Sequence, residues 1–295
     1  MRKTWIVVAG MFLAMSGLAN NLQDQVLYPQ VRVRTDAAAG SGTVIWSEKA
    51  PDGYFSTYIL TCHHVVEGAL KFETKWDPMA NRDRKQEMRG PILVEFFNYK
   101  AVPHGKPPLT AGVTAEIVAY DVRHDMALLR VRLAERPVVA KSLPTAQVTS
   151  VVVGSPVVIV GCALAHDPIL TTGIVTHLGD MIDYADYWMS NAQIIFGNSG
   201  GAVFAQLGAD YAFIGIPSRI AISGWSTPIT HMGYFSPITR VYQFYKEQVF
   251  DFLTPGSKRT EAECERDRAS RRESEEKKQI LVPVEPAAAS ASPSS

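Results

Sequence analysis

Three residues set far apart in the chain could together carry out acyl transfer. The stretch "FGNSGGAVF" places Ser199 between Asn198 and paired glycines, with apolar residues on either side. Glycine is costly inside a strand and marks a turn, a bulge or a close backbone approach. Ser199 is therefore either the tip of an ordinary tight turn or a hydroxyl held up for chemistry. A serine hydroxyl attacks near neutral pH only when an adjacent base removes its proton. Histidine suits that task because its pKa lies near the operating pH. The candidate is His64 in "ILTCHHVVEGA", read as a strand running through to Val66, which turns His63 to the opposite face.

The orienting acid is Asp125 in "AYDVRHDMALLRV", at the mouth of the strand "MALLRV", with Asp121 as the competitor in the polar turn. Asp125 would fix the imidazole tautomer and stabilise the imidazolium. Gly197 permits a turn that aims backbone N–H groups inward, so the N–H groups of Gly197 and Ser199 would form an oxyanion hole. Gly200 and Gly201 let substrate and neighbouring backbone approach without a Cβ in the way.

The elements that must hold these residues are short β-like runs, among them "VLYPQVRVRT", "GSGTVIW", "VVVGSPVVIVG", "TTGIVTHLG" and "GYFSPITRV". They are rich in Val, Ile, Thr and Tyr, punctuated by Gly, Pro, Asp and Asn, with no amphipathic helices between them. That pattern predicts an antiparallel all-β sandwich or barrel. The runs divide into two sets, 25–135 and 148–253, joined by "RPVVAKSLPTAQ". A polar insertion, "KWDPMANRDRKQEMRGP", reads as a surface loop.

The chain has 295 residues, 46% hydrophobic and 20% charged, with a formal net charge of zero. This is enough apolar residue for a sizeable core. Zero net charge argues against a general nucleic-acid binder. Residues 1–19 open with Arg2 and Lys3, run apolar from Trp5 to Ala19, and end on the small-x-small pattern Gly17, Leu18, Ala19. The apolar run is shorter than the ~20 residues of a comfortable span, which favours a removable export signal to the periplasm or the extracellular space. The alternative is an uncleaved membrane tether over 4–19. Cys62, Cys162 and Cys264 are an odd number and predict no disulfide. Cys62, His63 and His64 lack metal-ligand spacing, and no cofactor or metal is expected. From Ser257 to Ser295 the chain is a tail that reads as largely disordered: its densely charged first part, without an apolar stripe, is a solvated helix or disordered, and its Pro/Ala/Ser-rich end is disordered.

The order His, Asp, Ser along an all-β chain, with "TCHHVV", "HDMALLRV" and "GNSGGAVF", resembles the trypsin-like (chymotrypsin-fold) serine proteases, and among them the HtrA/Deg branch. "GSGTVI" resembles that branch's G-S-G-hydrophobic strand. "VVIVGCALA" resembles its I-G-x-P-x-G segment without the proline and last glycine, and "TTGIVTHLG" its T-x-G-I-V-S strand. The charged segment from Ser257 stands where that branch carries a peptide-binding PDZ domain. The resemblance implies two six-stranded antiparallel β-barrels with the active site in the cleft between them. It also implies a serine endopeptidase acting on polypeptide substrates through an acyl-enzyme. By family analogy the pocket base falls at Gln193, and apolar Ile194, Ile195 and Ile216 suggest cleavage after small or medium apolar residues. The alternative function is a protease-like binding module, latent until a ligand or partner orders the oxyanion turn.

Overall fold

The computed structural model describes residues 21–78, 81–224 and 226–281. The expected export signal and the last fourteen residues (282–295) lie outside the described residues.

Eight strands precede the connector: β1 (Gln30–Arg34), β2 (Ala39–Lys49), β3 (Phe55–Thr61), β4 (Leu70–Asp77), β5 (Arg82–Arg89), β6 (Ile92–Asn98), β7 (Leu109–Asp121) and β8 (Met126–Leu133). Six follow it: β9 (Pro156–Gly161), β10 (Ile169–Ile182), β11 (Ala185–Ser190), β12 (Ala202–Leu207), β13 (Asp210–Ser223) and β14 (Thr227–Pro237). The first set closes into a barrel in the order β1-β2-β3-β8-β7-β6, and the second into another in the order β10-β11-β14-β13-β12-β9. Both are antiparallel throughout, so the expected double barrel is the fold. Closure removes the exposed edges that an open sheet would leave.

The connector ties the barrels together rather than merely spanning them. The Ala140 N–H of the connector donates to Val44 O of the first barrel at 2.8 Å, and its Leu143 N–H donates to Phe213 O of the second at 3.0 Å. Helix α1 (His63–Val66) is one turn between the barrels, and α2 (Ile238–Glu247) buries Ile238, Val241, Phe244 and Tyr245 after the last strand.

One expectation changes. The polar insertion is not a loop: it supplies parts of β4 and β5, an eight-pair antiparallel ladder that stands apart from both barrels. Phe72 and Trp76 of β4 are exposed. The charged part of the tail takes the helical of its two readings, Glu261–Leu281 forming helix α3.

The first turns of α3 dock on the outside of the first barrel, and the reason lies in β3. Ser56 and Tyr58 point to the outer face yet are buried, because Phe250 and Phe252 cover them, with Tyr58 5.3 Å from the Phe252 ring. Their hydroxyls both donate to Glu261 Oε1 at 2.7 Å. Arg268 stacks over Phe250 at 3.8 Å, and Cys264 is fully buried. A helix without an apolar stripe is thus held by buried hydroxyls, one thiol and a cation on an aromatic face. Glu261→Ala leaves both hydroxyls without their acceptor and lowers stability by about 1–3 kcal/mol, read as a shift of the urea midpoint at unchanged slope.

Candidate active site

β3 ends at Thr61, and Cys62 is the last extended residue (φ −79°, ψ 147°) before the chain turns into α1. The strand expected to continue to Val66 therefore stops early, and the alternation rule does not govern His63 and His64. The change of direction is fastened by Asp125, whose Oδ1 accepts from the backbone N–H of His64 at 3.0 Å. His64 then presents its ring to the cleft with its side chain 45% exposed, while His63 is buried against Tyr120.

Asp125 sits in the turn between β7 and β8 with φ +53°, a left-handed conformation that aspartate tolerates better than most residues. Its carboxylate is 2.8 and 3.0 Å from His64 Nδ1 through Oδ2 and Oδ1. A carboxylate only accepts, so Nδ1 carries the proton and Nε2 is free to take another. Burial by itself would raise the Asp125 pKa. The His64 ring, the Ser218 hydroxyl and the His64 N–H outweigh it and hold the carboxyl below its ordinary value. The competitor, Asp121, faces elsewhere: it lies 2.7 Å from His124 Nδ1 and 3.5 Å from Arg240.

Ser218 has no motif to announce it. β13 pairs with β14 at Pro217↔Phe235 and then at Arg219↔Tyr234, which leaves Ser218 as the extra residue of a bulge. A bulge re-aims a side chain, and here it turns the Ser218 hydroxyl to donate to Asp125 Oδ2.

The loop carrying Ser199 is sewn to the first barrel through Ser41, in the "GSGTVI" run. The Ser41 N–H donates to Ser199 O at 2.9 Å, and its hydroxyl donates to Gly197 O at 2.6 Å. Gly200, at φ +83°, lies so close to β2 and β3 that a Cβ would meet Ser41 O and Thr61 Oγ1 at 2.3 Å. Asn198 closes the loop on itself, its Oδ1 accepting from Ile195 N–H at 2.9 Å.

Residues 195–198 form a turn closed by Asn198 N–H to Ile195 O at 3.0 Å, with Gly197 at φ +94° in its third position. That is the type II geometry, which demands positive φ there. The peptide joining Phe196 to Gly197 is held by Leu164, whose N–H donates to Phe196 O at 2.8 Å. In a trans peptide the N–H points opposite to the C=O, so the Gly197 N–H is turned away from Leu164. Among the described residues, neither Gly197 N–H nor Ser199 N–H has an acceptor within the protein.

The support for that turn is itself strained. Leu164 and Ala165 have φ of +51° and +60°, and Ala165 stands where the resembled segment has its last glycine. Ala165→Gly removes a Cβ from a left-handed position and raises stability by about 1 kcal/mol, measured by urea unfolding.

His64, Asp125 and Ser199 line one cleft of about 610 Å³ between the barrels. Ser199 shares it with His64 without a hydrogen bond between them among the described residues, a loose resting geometry common before substrate arrives. Of the four expected pocket residues, Ile194 and Ile195 line the cleft. Gln193 does not: it is exposed outside it, with its carbonyl taken by the Thr171 hydroxyl at 2.7 Å. Ile216 does not either: it is fully buried in the core. Pro217, Arg219, Ile220 and Ile222 of β13, with Phe196, complete the wall. Ile194 packs directly over Gly233, where a Cβ would meet its side chain.

Cys62 Sγ, His64 and Asp125 lie within 4.8 Å of one another. The group does not fit a metal. Burial first, then the Asp125 charge, pushes the Cys62 thiol well above its ordinary pKa, and the thiol is spent on Pro217 O at 3.3 Å. A metal ligand would have to be the thiolate.

No curated protein matches the chain. Two structures of the HtrA-type protease AlgW with a tripeptide match with TM-scores of 0.56 at 20% identity, over 79% and 80% of this chain. This chain spans 63% and 64% of the length of those two. A serine endoprotease from Yersinia pestis matches with a TM-score of 0.52 at 20% identity, covering 79% of this chain and 67% of that one. At that identity the likeness is one of fold. The model of the trypsin-like peptidase domain matches residues 40–216, from the strand that carries Ser41 to the strand that carries Ser218. More than half of the chain lies within that match, and it belongs to the trypsin-like peptidase family.

Proposed function

We propose that the chain is a serine endopeptidase working through an acyl-enzyme. Ser199 Oγ attacks the scissile carbonyl as His64 Nε2 takes its proton, and His64 then gives that proton to the leaving amine. Asp125 holds the Nδ1–H tautomer and stabilises the imidazolium. The N–H groups of Gly197 and Ser199 receive the oxyanion, and water deacylates the enzyme by the reverse proton path. The observation that carries this reading is the oxyanion turn. Phe196 O is bound to Leu164 outside the cleft, and the two N–H groups are left without acceptors.

Polypeptide is the substrate class that a cleft open between two barrels accepts, and the wall of Ile194, Ile195, Ile220 and Phe196 favours a small or medium apolar residue before the cut. Arg219, which also lines the cleft, is engaged by Asp183 at 2.5 Å. Digestion of an unfolded protein by the full chain, with the cut sites read by mass spectrometry, tests both points. Cuts after Ala, Val and similar residues are expected. Cuts confined to Lys, Arg, Glu or Gln would overturn the specificity, and no cuts beyond those of the Ser199→Ala variant would overturn the activity.

A further inference from the structure

Phe72 and Trp76 of β4 are 61% and 59% exposed. Cross-strand partners share a face of a sheet. The pairs Leu70–Arg89, Phe72–Glu87 and Trp76–Asp83 therefore put both aromatic side chains on one face of the ladder, together with Glu87 and Arg89. That face is anchored on the first barrel. Glu87 accepts from the Tyr120 hydroxyl at 2.8 Å, and the Arg89 guanidinium lies 5.9 Å from the centre of the Tyr120 ring. A lone two-stranded ladder is marginal in water unless its apolar face is packed against something.

α3 runs toward the same place. It crosses the outside of the first barrel in the order in which the strands pair. Glu261 takes the Ser56 and Tyr58 hydroxyls of β3, and Glu265 lies 3.5 Å from Arg130 of β8. Arg268, Arg271 and Arg272 then share a cavity of about 800 Å³ with Tyr120 of β7 and with Glu87 and Arg89 of β5. An α-helix rises about 1.5 Å per residue, so the end of α3 at Leu281 is about 14 Å beyond Arg272. A strand rises about 3.3 Å per residue, so the pair Trp76–Asp83 is about 13 Å beyond the pair Phe72–Glu87. Measured from the shared cavity, the helix end and the outer aromatic residue lie at matching distances.

The sequence turns apolar at that point. Residues 257–279 hold only Ala262, Cys264 and Ala269 as apolar side chains, and then come Ile280, Leu281, Val282, Pro283 and Val284, followed by Glu285, Pro286 and an Ala/Ser-rich stretch. We propose that residues 282–284, which follow α3 directly, dock on the Phe72–Trp76 face of the β4–β5 ladder and cover it. Pro283 holds the residue before it in the extended region, and in an extended chain Val282 and Val284 point to the same side. The two valines meet the aromatic side chains while Pro283, which has no N–H to pair, points away. β4 begins at Leu70, six residues after His64 and three after Glu67 of the cleft wall. The docked segment therefore ties α3 to the excursion of chain that leaves the catalytic cleft.

Disulfide cross-linking of the full chain tests this. The native cysteines, Cys62, Cys162 and Cys264, are all buried, so an introduced pair is read without interference. Thr74→Cys lies between Phe72 and Trp76 on the same face, and Lys71→Cys lies on the opposite face of β4. Both positions are exposed, and neither replacement disturbs a packed side chain. Each is combined with Val284→Cys, oxidised with glutathione disulfide, and mapped by mass spectrometry. A disulfide forms only where the Cα atoms come within about 7 Å. The Thr74→Cys pair is expected to close within one chain at least about tenfold faster than the Lys71→Cys pair, because an undocked tail meets both faces at the same effective concentration. Equal rates would overturn the proposal. A disulfide joining two chains would overturn it in favour of a second copy on the face, and no disulfide at Thr74→Cys would leave the face to a polypeptide partner. The readout does not involve turnover, so its failure is distinct from failure of the peptidase reading.

Discussion

Asp125→Asn lowers kcat/KM by about 10⁴-fold, the loss expected when an orienting acid can no longer fix the tautomer of its histidine. The geometry says why. Asp125 Oδ1 accepts from the His64 backbone N–H, which cannot reverse its role, while Oδ2 accepts from the Ser218 hydroxyl, which can rotate and accept instead. The amide nitrogen of the variant therefore settles in the Oδ2 position, 2.8 Å from His64 Nδ1. Facing a donor, Nδ1 must give up its proton and Nε2 carries it, so Nε2 cannot take the proton of Ser199. Ser218→Ala keeps the His64–Asp125 pair and is expected to cost no more than about tenfold. The same carboxylate sets a pH signature. Its folded pKa lies below its unfolded value of about 3.9, so it contributes stability above that pH, lost as pH falls through the folded value. Asp125→Asn flattens that acid limb of the stability profile.

Gly197→Ala is expected to lower kcat by about 10²–10³-fold with KM little changed, the effect of losing one oxyanion donor. At φ +94° an added Cβ would meet Cys162 O at 2.6 Å and Leu164 N at 2.7 Å, both backbone atoms. Relief requires the peptide between Phe196 and Gly197 to rotate, which breaks its bond to Leu164 and swings the Gly197 N–H off the cleft. Gly208→Ala is the control. It too has positive φ, at +67°, but no atom lies within 4 Å of its added Cβ. It should lose some stability and no turnover, so a fall in kcat for Gly197→Ala alone is a local effect on the oxyanion turn rather than strain at large.

Ser199, His64 and Asp125 were legible because each sits at an abrupt change in pattern: glycines around a hydroxyl, paired imidazoles after a β-branched run, an acid just ahead of an apolar strand. The two barrels could be read from the short strands together with the order of those motifs. What stayed hidden depends on contacts across the fold. "TCHHVV" is β-branched enough to read as strand, and only the Asp125 carboxylate, sixty-one residues on, turns it into α1. Ser218 becomes a partner of Asp125 through a bulge set by pairing with β14, which leaves no trace in "IPSR". Ser41 looked like one residue of a glycine-rich strand, and its bonds to Gly197 and Ser199 arise from the packing of one barrel on the other. α3 lacks an apolar stripe because it is held by Glu261, Cys264 and Arg268, polar types that composition assigns to solvent.

Labelling of the full chain with a fluorophosphonate, beside a Ser199→Ala control, asks whether Ser199 is an activated nucleophile. Labelling requires a serine whose proton His64 can take and an oxyanion position ready to receive charge, so it reads the proton relay and the turn together. Stoichiometric labelling of the wild-type chain, at the peptide containing Ser199, and none of the variant, is expected. A folded wild-type chain that stays unlabelled would overturn the peptidase assignment and leave a protease-like module that binds polypeptide without cutting it.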